Sequence, residues 1–113
     1  MKALLIDTDR KVREIEIENT LKALQERVGG YIEAVHLIDD LFAICNEDGK
    51  LRELPPVALL ISPDGGIAYD ALCGPVVICR AAGEEFTDIR PGDDKRMRRR
   101  LFVLPAVRGV AVG

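Results

Sequence analysis

Apolar and polar positions fall in short runs along this chain, and the spacing changes from one run to the next. Residues 2–6, KALLI, form a compact apolar run closed by the turn-prone Asp7-Thr8-Asp9. In Val12 to Glu18, VREIEIE, Ile15 and Ile17 stand two apart among charges, the period of a strand with one wet face. The short link between the two runs predicts an N-terminal hairpin. Then the period lengthens. In TLKALQERV, Leu21, Leu24 and Val28 stand at i, i+3 and i+7, which predicts a helix over about 19–29. Asn19 occupies the N-cap position, and Gly29 or Gly30 is placed to close the helix in a left-handed conformation.

Tyr31 to Ile38 and Leu41 to Cys45 read as strands on either side of an Asp39-Asp40 turn. Asn46-Glu47-Asp48-Gly49 reads as a hairpin-type connection, with Lys50-Leu51 resuming the extended chain. Leu54-Pro55-Pro56 must be extended and belongs away from a sheet centre. Val57 to Ile61 is a short buried run, Ser62 to Gly66 a turn, and Val76 to Cys79 the last core strand. Beyond Gly83, Asp93-Asp94 opens a second short helix near 93–101, with Met97 and Leu101 four apart. The expected fold is therefore α+β. It is a mostly antiparallel sheet of five or six short strands packed on one main helix. Residues 1–102 make one domain, and 103–113 an apolar tail that is an edge strand, a swapped arm or disordered.

Composition narrows this picture. The 113 residues include three Phe, two Tyr and no Trp, so aliphatic side chains must build the core. The net charge of −3 conceals an asymmetry: Lys95, Arg96, Arg98, Arg99 and Arg100 lie in one stretch without acids. Outside it 11 basic residues face 19 acidic ones. An acidic body repels nucleic acid, so any duplex contact would fall to that one cluster. Cys45, Cys73 and Cys79 are odd in number and sit in apolar surroundings, which suits free thiols in a reducing cytoplasm. The apolar run within MKALLIDT is too short for a secretion signal, and no stretch has the length of a membrane span. The expected location is the cytoplasm.

VGGYIE at 28–33, DLFAICNEDGKL at 40–51 and LPP at 54–56 together resemble a family of small bacterial, phage and mobile-element proteins, catalogued as domain of unknown function 3846. The opening MKALLID, the VREIEIEN strand and the L-x-A-L-Q helix resemble it as well, so the likeness covers roughly the first 80 residues. Where the family usually carries Asn-Arg after the two prolines, this chain has Val57-Ala58. The resemblance implies an accessory cytoplasmic protein of phage or plasmid origin, and it implies no reaction.

The candidate sites are few. Gly29-Gly30 follows a helix, whereas a phosphate loop precedes one, so the pair is a cap rather than an anion cradle. His36 is the only histidine; a catalytic role would require Asp39, Asp40 or Cys45 within reach, and Cys45 reads as a buried apolar residue. The cysteine and acidic spacings match no zinc or calcium site, so no metal or cofactor is expected. The arginine cluster reads either as a solvated helix face, partly neutralised by Asp39-Asp40 and Glu84-Glu85, or as a phosphate site. The expected function is non-enzymatic binding of a host protein or an anionic small ligand. The alternatives are a nucleotide-sequestering protein, with Tyr31 or Phe42 as its stacking surface, and nucleic-acid binding through the basic helix. The valines of the tail suggest a homodimer formed through it.

Overall fold

The computed structural model describes residues 1–106. Among these, nine strands and two short helices occur in the order β1 (Lys2–Ile6), β2 (Val12–Glu16), α1 (Leu21–Val28), β3 (Ile32–Ile38), β4 (Leu41–Asn46), β5 (Pro56–Ile61), β6 (Ala68–Cys73), β7 (Val76–Ala82), β8 (Glu85–Thr87), α2 (Asp93–Met97) and β9 (Leu101–Val103). The class is α+β and every strand pairing is antiparallel. The expected antiparallel sheet is present with six strands, and among the described residues a second sheet of three strands, not expected from the sequence, accompanies it. The larger runs β2-β1-β7-β4-β3, with β8 paired to the end of β7, and the smaller runs β6-β5-β9.

The unbroken apolar runs explain the layering. Strands β1, β7 and β4 are buried on both faces, and their alternate residues enter two separate cores. Leu4, Ile6, Leu41, Ala43, Val76 and Ile78 meet Val57, Ala58, Leu60, Leu72 and Leu101 of the smaller sheet. Ala3, Leu5, Ile44, Val77 and Cys79 meet Leu24 and Val28 of α1 on the opposite face. The strands with polar alternation, β2 and β3, lie at the two edges.

Local signals hold with adjustments. The expected β1–β2 hairpin forms, with Leu4 opposite Glu14. Helix α1 is shorter than 19–29, and its N-cap is Thr20, whose Oγ1 accepts the Ala23 N–H at 3.2 Å. Asn19 instead donates to the Phe86 carbonyl at 2.8 Å, tying the helix start to β8. Gly29 closes the helix at φ 82°, its N–H bonded to the Gln25 carbonyl.

The Asn46–Gly49 hairpin does not form. Residues 47–53 are a succession of turns, and β4 pairs with β3 and β7 rather than with the segment after those turns. Gly49 is not left-handed, so its Asp-Gly pair is no type I′ turn. Its role is close approach: a Cβ there would stand 2.6 Å from the Cys73 carbonyl oxygen. Pro56 opens β5, the middle strand of the smaller sheet, but pairing to β9 starts only at Ala58, beyond the missing N–H. The second helix ends at Met97, and Leu101 lies on β9 instead. Val103 pairs with Ala58, and the Leu104 N–H bonds the Val57 carbonyl. The tail beyond Ala106, including Val107, Val110 and Val112, lies outside the described residues.

The two glycine environments give a direct check. Gly49→Ala meets backbone and is expected to lower stability by about 1–3 kcal/mol in urea denaturation. Gly66→Ala meets only the Asp64 side chain at 3.5 Å, at an exposed turn, and should change stability by less than about 0.5 kcal/mol. Equal losses for the two would refute the close-approach role.

Candidate functional site

The basic cluster is largely engaged with its own protein. Arg96 lies 3.7 Å from Asp39 and 3.7 Å from Asp93. Arg98 bonds Asp94 at 2.9 Å, one helical turn back, and Arg100 donates to the Pro63 carbonyl at 3.2 Å. Lys95 and Arg99 are exposed, with no side-chain hydrogen bond or ion pair among the described residues. Asp39 thus takes up part of the cluster's charge. Glu84 and Glu85 sit elsewhere, beside a cavity of about 470 Å³ at the start of α1.

The residue that anchors this region was missed from sequence. Arg80, on β7, donates from Nε and Nη2 to the two carboxylate oxygens of Asp93, both at 2.7 Å. Arg80 is 5% exposed and Asp93 1%. The Arg90 N–H adds a third bond to Asp93, and Asp40 lies 3.8 Å from the outer edge of Arg80. Burial pushes the Asp93 carboxyl up, but the bonds from Arg80 and Arg90 and the charges of Arg80 and Arg96 outweigh it, leaving it below its ordinary value. An arginine inside an apolar strand, followed by an aspartate at a helix start, was the available signal.

Tyr31, Phe42 and the arginines do not come together. Tyr31 precedes β3 at the end away from Asp39, about 25 Å along the strand at the usual rise. Phe42 stands opposite Cys79 on the α1 face of the large sheet, with the His36 ring edge-on at 5.1 Å. Met97 of α2 belongs to the core on the other face. No catalytic pair forms between His36 and Cys45 either. His36 Nε2 bonds the Asp39 carbonyl at 2.7 Å, whereas Cys45 points to the opposite side of the sheet. Burial pushes the Cys45 thiol up to about 11 and that of Cys79 to about 12, so both are protonated at neutral pH. Among the described residues no His, Cys, Asp or Glu cluster is arranged to hold a metal ion. None of their helices is long and apolar enough to cross a membrane.

What does converge is the end of α1 with the loop after β4. Asn46 is buried and its Nδ2 donates to the Val28 carbonyl at 3.2 Å. Arg52 Nη1 donates to the Gly29 carbonyl at 2.7 Å. Two side-chain N–H donors, one of them charged, therefore meet the negative end of the helix. Gly30 is forced by this packing, since a Cβ would stand 2.9 Å from Asn46 Nδ2 and 3.1 Å from Arg52 Nη1. Gln25, Gly30, Tyr31, Asn46, Asp48 and Arg52 line a cavity of about 320 Å³ here. Tyr31, 71% exposed, stands at its mouth, and Leu51, 85% exposed, adjoins Arg52 in the same loop. Gly30 and Tyr31 of VGGYIE and Asn46, Asp48 and Arg52 of NEDGKLR, separated in sequence, line one cavity in space.

These features define a small two-sheet α+β domain whose glycine and asparagine positions are dictated by packing. The chain belongs to the family described as a domain of unknown function (DUF3846), which matches residues 1–101. The match extends beyond the first 80 residues to include α2 and the basic cluster. No curated protein and no solved structure matches the chain.

Removing Arg80 leaves a buried carboxylate unpaired, so Arg80→Met is expected to cost about 3–5 kcal/mol by urea denaturation at pH 7. Arg80→Met/Asp93→Leu should recover most of that loss. Because the folded-state pKa of Asp93 is depressed, its contribution is present above the unfolded value near 4 and is lost as pH falls through the lower folded value. Asp93→Asn should flatten that acid-side decline. An unchanged acid slope would contradict the pairing.

Proposed function

We propose that this chain is a non-enzymatic accessory protein of phage or mobile-element type, working in the cytoplasm by binding a host protein. In this reading α1 is the main helix on which the large sheet packs, and its C-terminal end carries the binding face. The observation behind it is the exposed Tyr31 sharing one cavity with Arg52, with the exposed Leu51 next to Arg52 along the loop. Tyrosine and arginine are the residue types that dominate binding energy at protein interfaces, and large apolar side chains left in water favour contact with a partner. Arg52 commits one nitrogen to Gly29, which holds the guanidinium plane in place before a partner arrives.

The alternative of nucleotide sequestration loses support, because the stacking residues and the basic cluster lie apart and Arg96 and Arg98 are paired with carboxylates. Nucleic-acid binding would rest on Lys95 and Arg99 within an acidic body.

Affinity capture from host extract, followed by titration of the purified partner, tests the proposal. Tyr31→Ala and Leu51→Ala should each weaken that partner about 10- to 100-fold without altering the circular dichroism spectrum. Identical affinity in both variants would move the binding face elsewhere. A thermal stabilisation by cyclic or linear nucleotides that disappears in Arg98→Ala/Arg100→Ala would replace the proposal with the sequestering one. Turnover abolished by His36→Ala would end the non-enzymatic reading.

A further inference from the structure

The exposed strand edges of this molecule are not alike. Edge strands carry unpaired backbone groups and are normally blunted by charge, bulges or shortness. On β2 the Met1 carbonyl accepts the Ile17 N–H, so Val12, Glu14 and Glu16 direct their backbone groups outward. Any antiparallel self-pairing of β2 centred on Glu14 or Ile15 sets carboxylates opposite one another, which opposes it. Strand β6 carries an irregularity at Tyr69, and Lys50 bridges to Asp70 over its flank. Strands β8 and β9 have three residues each.

Among the described residues, strand β3 carries no irregularity and a single carboxylate, Glu33, along Ile32–His36. The Tyr31 carbonyl accepts the Glu47 N–H, so the odd positions face β4 and Ile32, Ala34 and His36 present their N–H and C=O groups outward. Ala34 and His36 are exposed, and Glu33 is the only charge between Ile32 and Leu37 apart from the histidine. The irregularity in this strand comes only after His36.

We propose that β3 is the self-association edge of this protein, pairing antiparallel with β3 of a second copy about a twofold axis at Val35. The register is self-complementary. Ala34 meets His36 of the second copy, and the outward groups of both are spent on about four backbone bonds. Glu33 falls opposite Leu37 of the second copy, so no like charges face each other. Val35, half-buried against the inter-sheet core, meets its twin on the same side and continues that core across the axis. A second copy fits this edge better than an unrelated strand because both sequence directions of β3 satisfy it. The two large sheets become one continuous sheet. This interface is separate from the Tyr31–Arg52 surface and does not depend on it.

Proline at position 34 removes an outward N–H that the β4 ladder does not use, so it tests the edge without breaking the sheet. Sedimentation equilibrium on the full chain should show a dimer at micromolar concentration. Ala34→Pro should weaken self-association by about 30-fold or more, with an unchanged circular dichroism spectrum. Glu14→Pro, the equivalent change on β2, should leave the dimer intact. A monomeric wild-type chain overturns the proposal, and so does an Ala34→Pro dimer of unchanged affinity, which would point to the C-terminal tail. If Ala34→Pro does not fold, amide exchange of the wild-type chain decides. Exchange at Ala34 and His36 should slow as concentration rises, and concentration-independent rates overturn the pairing.

Discussion

Strand β7 bonds β1 along one side and β4 along the other, and its side chains point into apolar cores on both faces. A strand so placed has no wet face, and the elements around it are arranged to cover it. One cover is α1, anchored by Leu24 and Val28. The other is the three-stranded sheet, with Val57, Ala58, Leu60 and Leu72 turned inward. Neither cover is large. The smaller sheet and the single two-turn helix are stable because each buries its one apolar face on the same three central strands.

A buried ion pair enters this arrangement, and it organises one end of the molecule. Arg80 continues the core-facing side of β7 after Val76 and Ile78, where an unpaired guanidinium would be untenable. Asp93 meets it with both oxygens and is itself the first residue of α2. The ion pair fixes where α2 sits, and α2 brings Met97 into the core and Arg96 to Asp39. The basic stretch that looks in sequence like a free patch is spread along a helix and turn docked by one carboxylate. Its net positive character is reduced where it touches the body.

The candidate surface was legible in pieces. The Gly29 cap follows from a helical period ending at two glycines, and Tyr31 could be singled out as an aromatic beside them. Its partners could not. Asn46 and Arg52 reach the end of α1 only because β4 returns antiparallel to β3 and the next seven residues coil rather than extend. Asp-Gly in that loop carried a hairpin signal, but β4 already has β3 and β7 as neighbours, leaving no edge for a third strand. The grouping of Tyr31 and Phe42 with the arginines failed for a related reason. Residues on one hairpin can lie at its opposite ends and on opposite faces.

By itself the sequence determined the α+β class, the β1–β2 and β3–β4 hairpins, the position of α1 and the strands that must be buried. Those features depend on contacts within about 15 residues, where period, capping and turn chemistry act directly. It also carried the family membership, through the order of its motifs. Tertiary structure alone decided that β7 inserts between β1 and β4, that β5, β6 and β9 form a separate sheet, and that Arg80 is spent on Asp93. Strand β6, AYDALC, lacks the apolar–polar alternation that marks β2. These choices compare alternative long-range pairings of similar local merit, and only burial of both faces of the central strands separates them.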